Sequence, residues 1–153
     1  MSLANQKLRG FVEHKLDSKG RVSVPLSWRP ENGMSVFLML AHRYEVPVLR
    51  VFTEDAFDRK LCEIEESEDL DPGTKDELGG YLHANSVEAQ VNEQGKLLIP
   101  KHWAEERELG LPGAAMLVGR GDYFEMMNLE QYRLMKEREM AENAALRKRF
   151  GIS

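Results

Sequence analysis

Apolar and polar residues alternate in short runs over most of this chain, and a period of two predicts strands. Residues 11–16 and 21–24 flank a polar turn, so they read as the two paired arms of a hairpin. Residues 36–40 and 46–52 are denser apolar runs joined by the polar His42-Arg43-Tyr44-Glu45. The same order returns in the second half, with strands expected at 86–91, 96–99, 114–118 and 123–127. After Thr53 the spacing becomes helical through Phe57, Leu61 and Ile64, with Thr53 as N-cap and an acidic first turn. Prolines 25 and 100 start short helices, to about residue 29 and over 101–109, that turn Trp28 and Trp103 to the core. Residues 30–33 and 110–113 close them. Asn128 caps a terminal helix expected over 129–149, whose few apolar anchors (Tyr132, Met135, Leu146) leave it either to protrude or to pack on a neighbouring subunit.

Between the halves, residues 63–77 carry eight acids and one lysine, interrupted by Asp71-Pro72-Gly73. The order of these carboxylates matches no metal-ligand spacing, so the stretch reads as an exposed turn between helices. A second short helix is expected over 78–84, where Gly79-Gly80 would permit close packing.

The halves are related in detail. Leu16-Asp17-Ser18-Lys19-Gly20-Arg21-Val22-Ser23-Val24-Pro25 recurs as Val91-Asn92-Glu93-Gln94-Gly95-Lys96-Leu97-Leu98-Ile99-Pro100, 75 residues later. The same offset relates Trp28 to Trp103 and Phe57 to Tyr132, which identifies one motif used twice. In each copy an Asx side chain can accept N–H bonds from the turn, and the glycine tolerates positive φ. Asp17, Gly20, Asn92 and Gly95 are therefore the expected turn-bracing residues. Lys15, Lys19, Arg21 and Lys96 are the cations they display.

Charge sharpens that picture. The net charge of −5 argues against a protein that binds nucleic acid merely by being basic. Residues 1–30, however, hold six basic residues against Glu13 and Asp17, an excess of four, so the remainder carries nine net negative charges to reach −5. An N-terminal cationic face on an otherwise acidic chain suits an anionic partner. The single cysteine, Cys62, is expected as a small, partly buried apolar residue and suits a reducing cytoplasm. No run approaches the roughly 18 apolar residues of a membrane span, and the first nine residues are too polar for a signal peptide.

Catalysis has no visible apparatus: no nucleophile stands beside a base, and His14, His42, His83 and His102 are scattered. No catalytic residue, metal ligand, cofactor or small-molecule substrate is expected. The Gly119-Arg120-Gly121 sequence precedes a strand, not a helix, and so lacks the context of a phosphate-binding loop. Glu125, in an apolar strand, calls for buried hydrogen-bond donors.

The Asp17–Pro25 motif, the second Gly-Lys-Leu-Leu-Ile-Pro and the late Leu117-Val118-Gly119-Arg120-Gly121-Asp122-Tyr123-Phe124-Glu125 together resemble the MraZ family of bacterial transcriptional regulators, over about residues 8–135. The resemblance implies an α+β fold: a duplicated AbrB-like swapped-hairpin β-barrel with pseudo-two-fold symmetry, flanking helices and a C-terminal helix. It divides the chain into a first repeat (8–66), a helical linker (67–85), a second repeat (86–135) and a C-terminal extension (136–153). It implies a cytoplasmic, nucleoid-associated regulator that binds promoter repeats of division and cell-wall genes as a ring-like homo-oligomer. Asp17 and Arg21 match the family's Asp-x-x-x-Arg motif, whereas Asn92 and Lys96 replace it in the second copy, and Lys lacks the planar fork of Arg. Lys19 and Arg21 would thus meet phosphate or a guanine edge while the second hairpin is more structural. The eroded second motif and acidic balance also motivate another reading, an oligomeric scaffold or partner-binding protein that has lost DNA contact.

Overall fold

The computed structural model describes residues 7–31, 34–104, 109–111 and 113–153. In chain order the strands are β1 (Phe11–Lys15), β2 (Arg21–Ser23), β3 (Val36–Arg43), β4 (Val46–Thr53), β5 (Ser86–Ala89), β6 (Lys96–Leu98), β7 (Ala114–Gly119) and β8 (Tyr123–Asn128). The helices are α1 (Glu54–Glu65), α2 (Pro72–Ala84), α3 (Lys101–Ala104), α4 (Leu129–Glu142) and α5 (Ala144–Arg149), with a 3₁₀ turn at Leu26–Trp28.

Six strands form one antiparallel sheet in the order β1-β7-β8-β4-β3-β5, and β2 pairs with β6 in a separate two-stranded sheet. The fold is α+β, but among the described residues no sheet closes into a barrel. The strand partners also correct the hairpin expectation. β1 pairs with β7 and β2 with β6, so the arms of the first turn belong to different sheets, as do β5 and β6 beside the second. The reason lies in burial: Val22 and Leu97 are both fully buried, and pairing β2 with β6 sets them opposite each other. Alternation specifies the face of a strand, not its neighbour.

Period-two burial then builds three layers. On one face of the large sheet, Leu38, Leu49, Val51, Leu117, Phe124 and Met126 pack against the β2·β6 layer and both tryptophans. Trp28 stacks obliquely on Phe124 at 5.3 Å and donates its indole N–H to the Arg9 carbonyl at 3.0 Å. On the other face, α1 sets Ala56 and Phe57 on Met39 and Phe52. Beside it, α4 drives Met135 into Val46, Val48, Met116 and Met127.

Several element boundaries differ from expectation. The exposed turn between helices lies at 66–71, but the second helix starts at Pro72 and not at 78: Asp71 caps α2 by accepting the Thr74 N–H at 2.7 Å, and Pro72 occupies the first helical turn. Gly79 and Gly80 face open space, so they serve no close packing. The terminal helix divides at Asn143, where φ −105° and ψ 12° leave the helical path, and Leu146 is exposed. Cys62 is exposed, not partly buried, because α1 turns Ala56 and Phe57 to the sheet instead. The join of β3 to β4 is tight: Tyr44 and Glu45 both adopt positive φ, and Arg138 of α4 donates to the Tyr44 carbonyl at 2.7 Å. Expectations for residues 1–6, 32–33, 105–108 and 112 lie outside the described residues.

Candidate nucleic-acid interface

The two turns are built alike. Asp17 Oδ1 accepts the backbone N–H groups of Lys19 and Arg21, each at 2.9 Å. Asn92 Oδ1 accepts those of Gln94 and Lys96, also at 2.9 Å. In both, the Asx N–H donates to the carbonyl of the residue four on, and the glycine three on, at φ 79°, donates its N–H to the Asx carbonyl. Gly20 and Gly95 supply the left-handed backbone that closes each turn. The turns also clasp each other's strands: the Ile99 N–H donates to Gly20 O at 3.0 Å and the Val24 N–H to Gly95 O at 2.9 Å.

What the turns carry differs. Arg21 Nε donates to Asp17 Oδ2 at 2.9 Å, with the two side chains 32% and 30% exposed. The guanidinium is therefore oriented by one edge and remains reachable from solvent, the arrangement Arg uses for planar recognition. The Arg21 backbone N–H holds the Asp17 carboxyl below its ordinary 3.8, against a smaller desolvation effect and with help from the Arg21 side chain and the Lys19 N–H. Lys15 and Lys19 are exposed. Lys96, half-buried as Arg21 is, lies across the ladder: its Nζ donates to Ser23 Oγ at 2.6 Å.

A second charged cluster, which sequence reasoning found only in part, occupies the helical face of the sheet. Glu125 is fully buried, and its carboxylate receives Arg43 Nε at 2.7 Å, Arg50 Nε at 2.9 Å and Arg120 Nε at 3.1 Å. Arg120 also reaches Glu139 at 2.7 Å, and Arg43 donates to the Tyr123 hydroxyl at 2.7 Å. Burial works against the charge of Arg120, but Glu139 and Glu125 outweigh it and raise its pKa. The signal available in the sequence was the repeat offset, because Arg50 precedes Glu125 by 75 residues and the two face each other in the β4·β8 ladder. The cluster joins β3, β4, β8 and α4 and presents no nucleophile. Among the described residues no group of three or more His, Cys, Asp or Glu side chains converges to hold a metal ion, and no helix is long and apolar enough to cross a membrane.

No family model matches the chain. Among curated relatives, the transcriptional regulator MraZ of Caldanaerobacter subterraneus subsp. tengcongensis is 33% identical over 105 residues, covering 67% of this chain and 68% of that protein. The chain belongs to the MraZ family. Longer alignments agree: MraZ of a Ruegeria species (strain TM1040) is 28% identical over 151 residues, 90% of this chain and 84% of the relative. MraZ of Mycoplasmopsis pulmonis is 26% identical over 125 residues, 82% and 81% of the two chains. All three relatives are named transcriptional regulators, a non-enzymatic class, and MraZ membership makes this chain a transcriptional regulator.

Proposed function

We propose that this MraZ-family chain binds double-stranded promoter DNA upstream of division and cell-wall genes through its first turn, as a ring-like homo-oligomer, in the cytoplasm at the nucleoid. The observation that carries the reading is the contrast between two turns of one geometry: the first presents a carboxylate-oriented guanidinium to solvent, the second ties its cation to Ser23. Arg21 meets a guanine edge or phosphate, Lys19 and Lys15 add phosphate contacts, and Lys96 is chiefly structural. Asp17, Gly20, Asn92 and Gly95 hold the two tips.

The duplicated AbrB-like architecture, with repeats at 8–66 and 86–135 separated by the linker 67–85 and followed by 136–153, belongs to the same proposal. It is supported by pairing that exchanges halves: β1 with β7, β5 with β3, and Val22 opposite Leu97. One turn neutralising two or three phosphates binds weakly at cellular salt, so several copies must act together. Two surfaces suit assembly. Leu78 and Tyr81 are exposed on the acidic α2 side, and Leu146 and Phe150 are exposed beside Arg147-Lys148-Arg149 on α5. Such unlike surfaces fit a head-to-tail contact that closes a ring.

Gel retardation of a repeat-containing promoter fragment across a salt series tests the reading. Arg21→Gln should weaken binding about tenfold or more per site and reduce the salt slope by about one, with the circular dichroism spectrum unchanged. The tie of Lys96 to Ser23 favours one other reading, an oligomeric scaffold without DNA contact. Salt-sensitive retardation by the wild type dismisses the scaffold; undiminished retardation by Arg21→Gln dismisses the first turn as reader.

A further inference from the structure

The flanks of the two turns are not furnished alike. Pro25-Leu26-Ser27-Trp28-Arg29 and Pro100-Lys101-His102-Trp103-Ala104 are equivalent under the repeat, so Ala104 stands where Arg29 stands. Arg29 reaches across to the second turn: its Nε donates to the Val24 carbonyl at 2.8 Å, and its guanidinium occupies the place a Cβ on Gly95 would take. Beside the first turn no described side chain takes the corresponding place. A Cβ on Gly20 would meet only the Ile99 carbonyl oxygen, at 3.7 Å, and a groove of about 550 Å³ opens between the first turn, Pro100 and Ala104. That volume falls within the range of small-molecule sites.

We propose that this groove binds a small guanidino acid, of the chemical class of free arginine, with its guanidinium in the place that Arg29 fills beside the other turn. The Ile99 carbonyl is the counterpart of the Val24 carbonyl that accepts from Arg29. Asp17 adds negative charge where the other half has the neutral Asn92, although its carboxylate is already shared with Arg21. Leu16 and Leu98 offer apolar walls to a methylene stem. Lys19 and Lys101 line the same groove, and they oppose a plain cation. They complement the carboxylate of a ligand that carries both charges. The site stands independently of whether the neighbouring turn reads DNA.

The test is a titration of the full-length chain with L-arginine, followed through backbone amide resonances, with agmatine (no carboxylate) and L-citrulline (no guanidinium charge) in parallel. Saturable shifts of the Gly20 and Ala104 amides are expected in the millimolar range, with agmatine and citrulline at least about tenfold weaker. Ala104→Arg should fill the groove from within and abolish the shifts. Ala104→Met, which fills it without charge, gives the same readout should the arginine variant not fold. Absence of saturable shifts at Gly20, equal shifts from all three compounds, or shifts that persist in the filled variant would each overturn the site.

Discussion

Replacing Glu125 by Gln is the sharpest test of what holds the helical face of the sheet together. The carboxylate is fully buried and receives three guanidiniums, at 2.7, 2.9 and 3.1 Å. Glutamine preserves shape and one acceptor oxygen, but it removes the charge and aims an NH₂ donor at donors. Of the three arginines only Arg120 then keeps a described carboxylate partner, Glu139, while Arg43 keeps the Tyr123 hydroxyl and Arg50 the His42 carbonyl. Removing one partner of a buried ion pair costs about 3–5 kcal/mol. The arginines are 21%, 25% and 17% exposed, so water recovers part of the loss and the lower end, about 3 kcal/mol, is expected. With a urea slope near 2 kcal/mol per molar, the unfolding midpoint should fall by about 1.5 M. A circular-dichroism urea titration measures this, and combining Glu125→Gln with Arg50→Met should be less than additive because the two share a contact. A midpoint shift under about 0.5 M would mean that the cluster is energetically idle and that the reasoning from burial is wrong.

The remaining predictions concern the turns. Asp17→Asn should keep the first turn, since Asn92 already holds the same two backbone N–H groups, while freeing the Arg21 guanidinium. The depressed Asp17 carboxyl implies that the stability its charge adds is fully present above the unfolded value near 3.8 and is lost as pH falls through the lower folded value, the turn itself persisting as it does with the neutral Asn92. A carboxyl-carbon NMR titration that placed the Asp17 midpoint at or above 3.8 would contradict that sign. Gly20→Ala and Gly95→Ala share a strain of about 1–2 kcal/mol from φ 79°, but only the second also evicts the Arg29 guanidinium. Gly95→Ala should therefore melt lower than Gly20→Ala, and equal melting temperatures would show that Arg29 adds nothing to the second turn.

Much of the strand content was legible because residues 36–40 and 46–52 are short, dense apolar runs bounded by polar turns, while Val22-Ser23-Val24 alternates with the strand period. Partner choice was not legible. Val22 and Leu97 advertise burial, yet nothing local states that each is buried against the other, so a hairpin was the natural reading of two arms around a turn. Asp71-Pro72-Gly73 was ambiguous for a different reason: an Asx followed by Pro suits both a turn and the start of a helix. The Thr74 amide, captured by Asp71, decides for the helix. The Glu125 donors come from residues 43, 50 and 120, which only the folded chain assembles.

The candidate site shows where duplication and divergence separate. Identical cages at Asp17 and Asn92 mean that an uncharged Asx suffices to close the turn, so the charge of Asp17 is not required by the backbone. What that charge does in addition is bind Arg21 along its Nε edge, leaving the outer nitrogens of the fork unclaimed by Asp17. In the second copy the two losses occur together: without the carboxylate there is nothing to orient a guanidinium, and the lysine at that place finds Ser23 instead. Restoring Asn92→Asp and Lys96→Arg as a pair, but neither alone, should therefore rebuild a second outward-facing guanidinium. In gel retardation the double variant should bind promoter DNA more tightly than either single one, with a salt slope steeper by about one. Equal binding by the paired and single variants would break the link between carboxylate and guanidinium on which the interface rests.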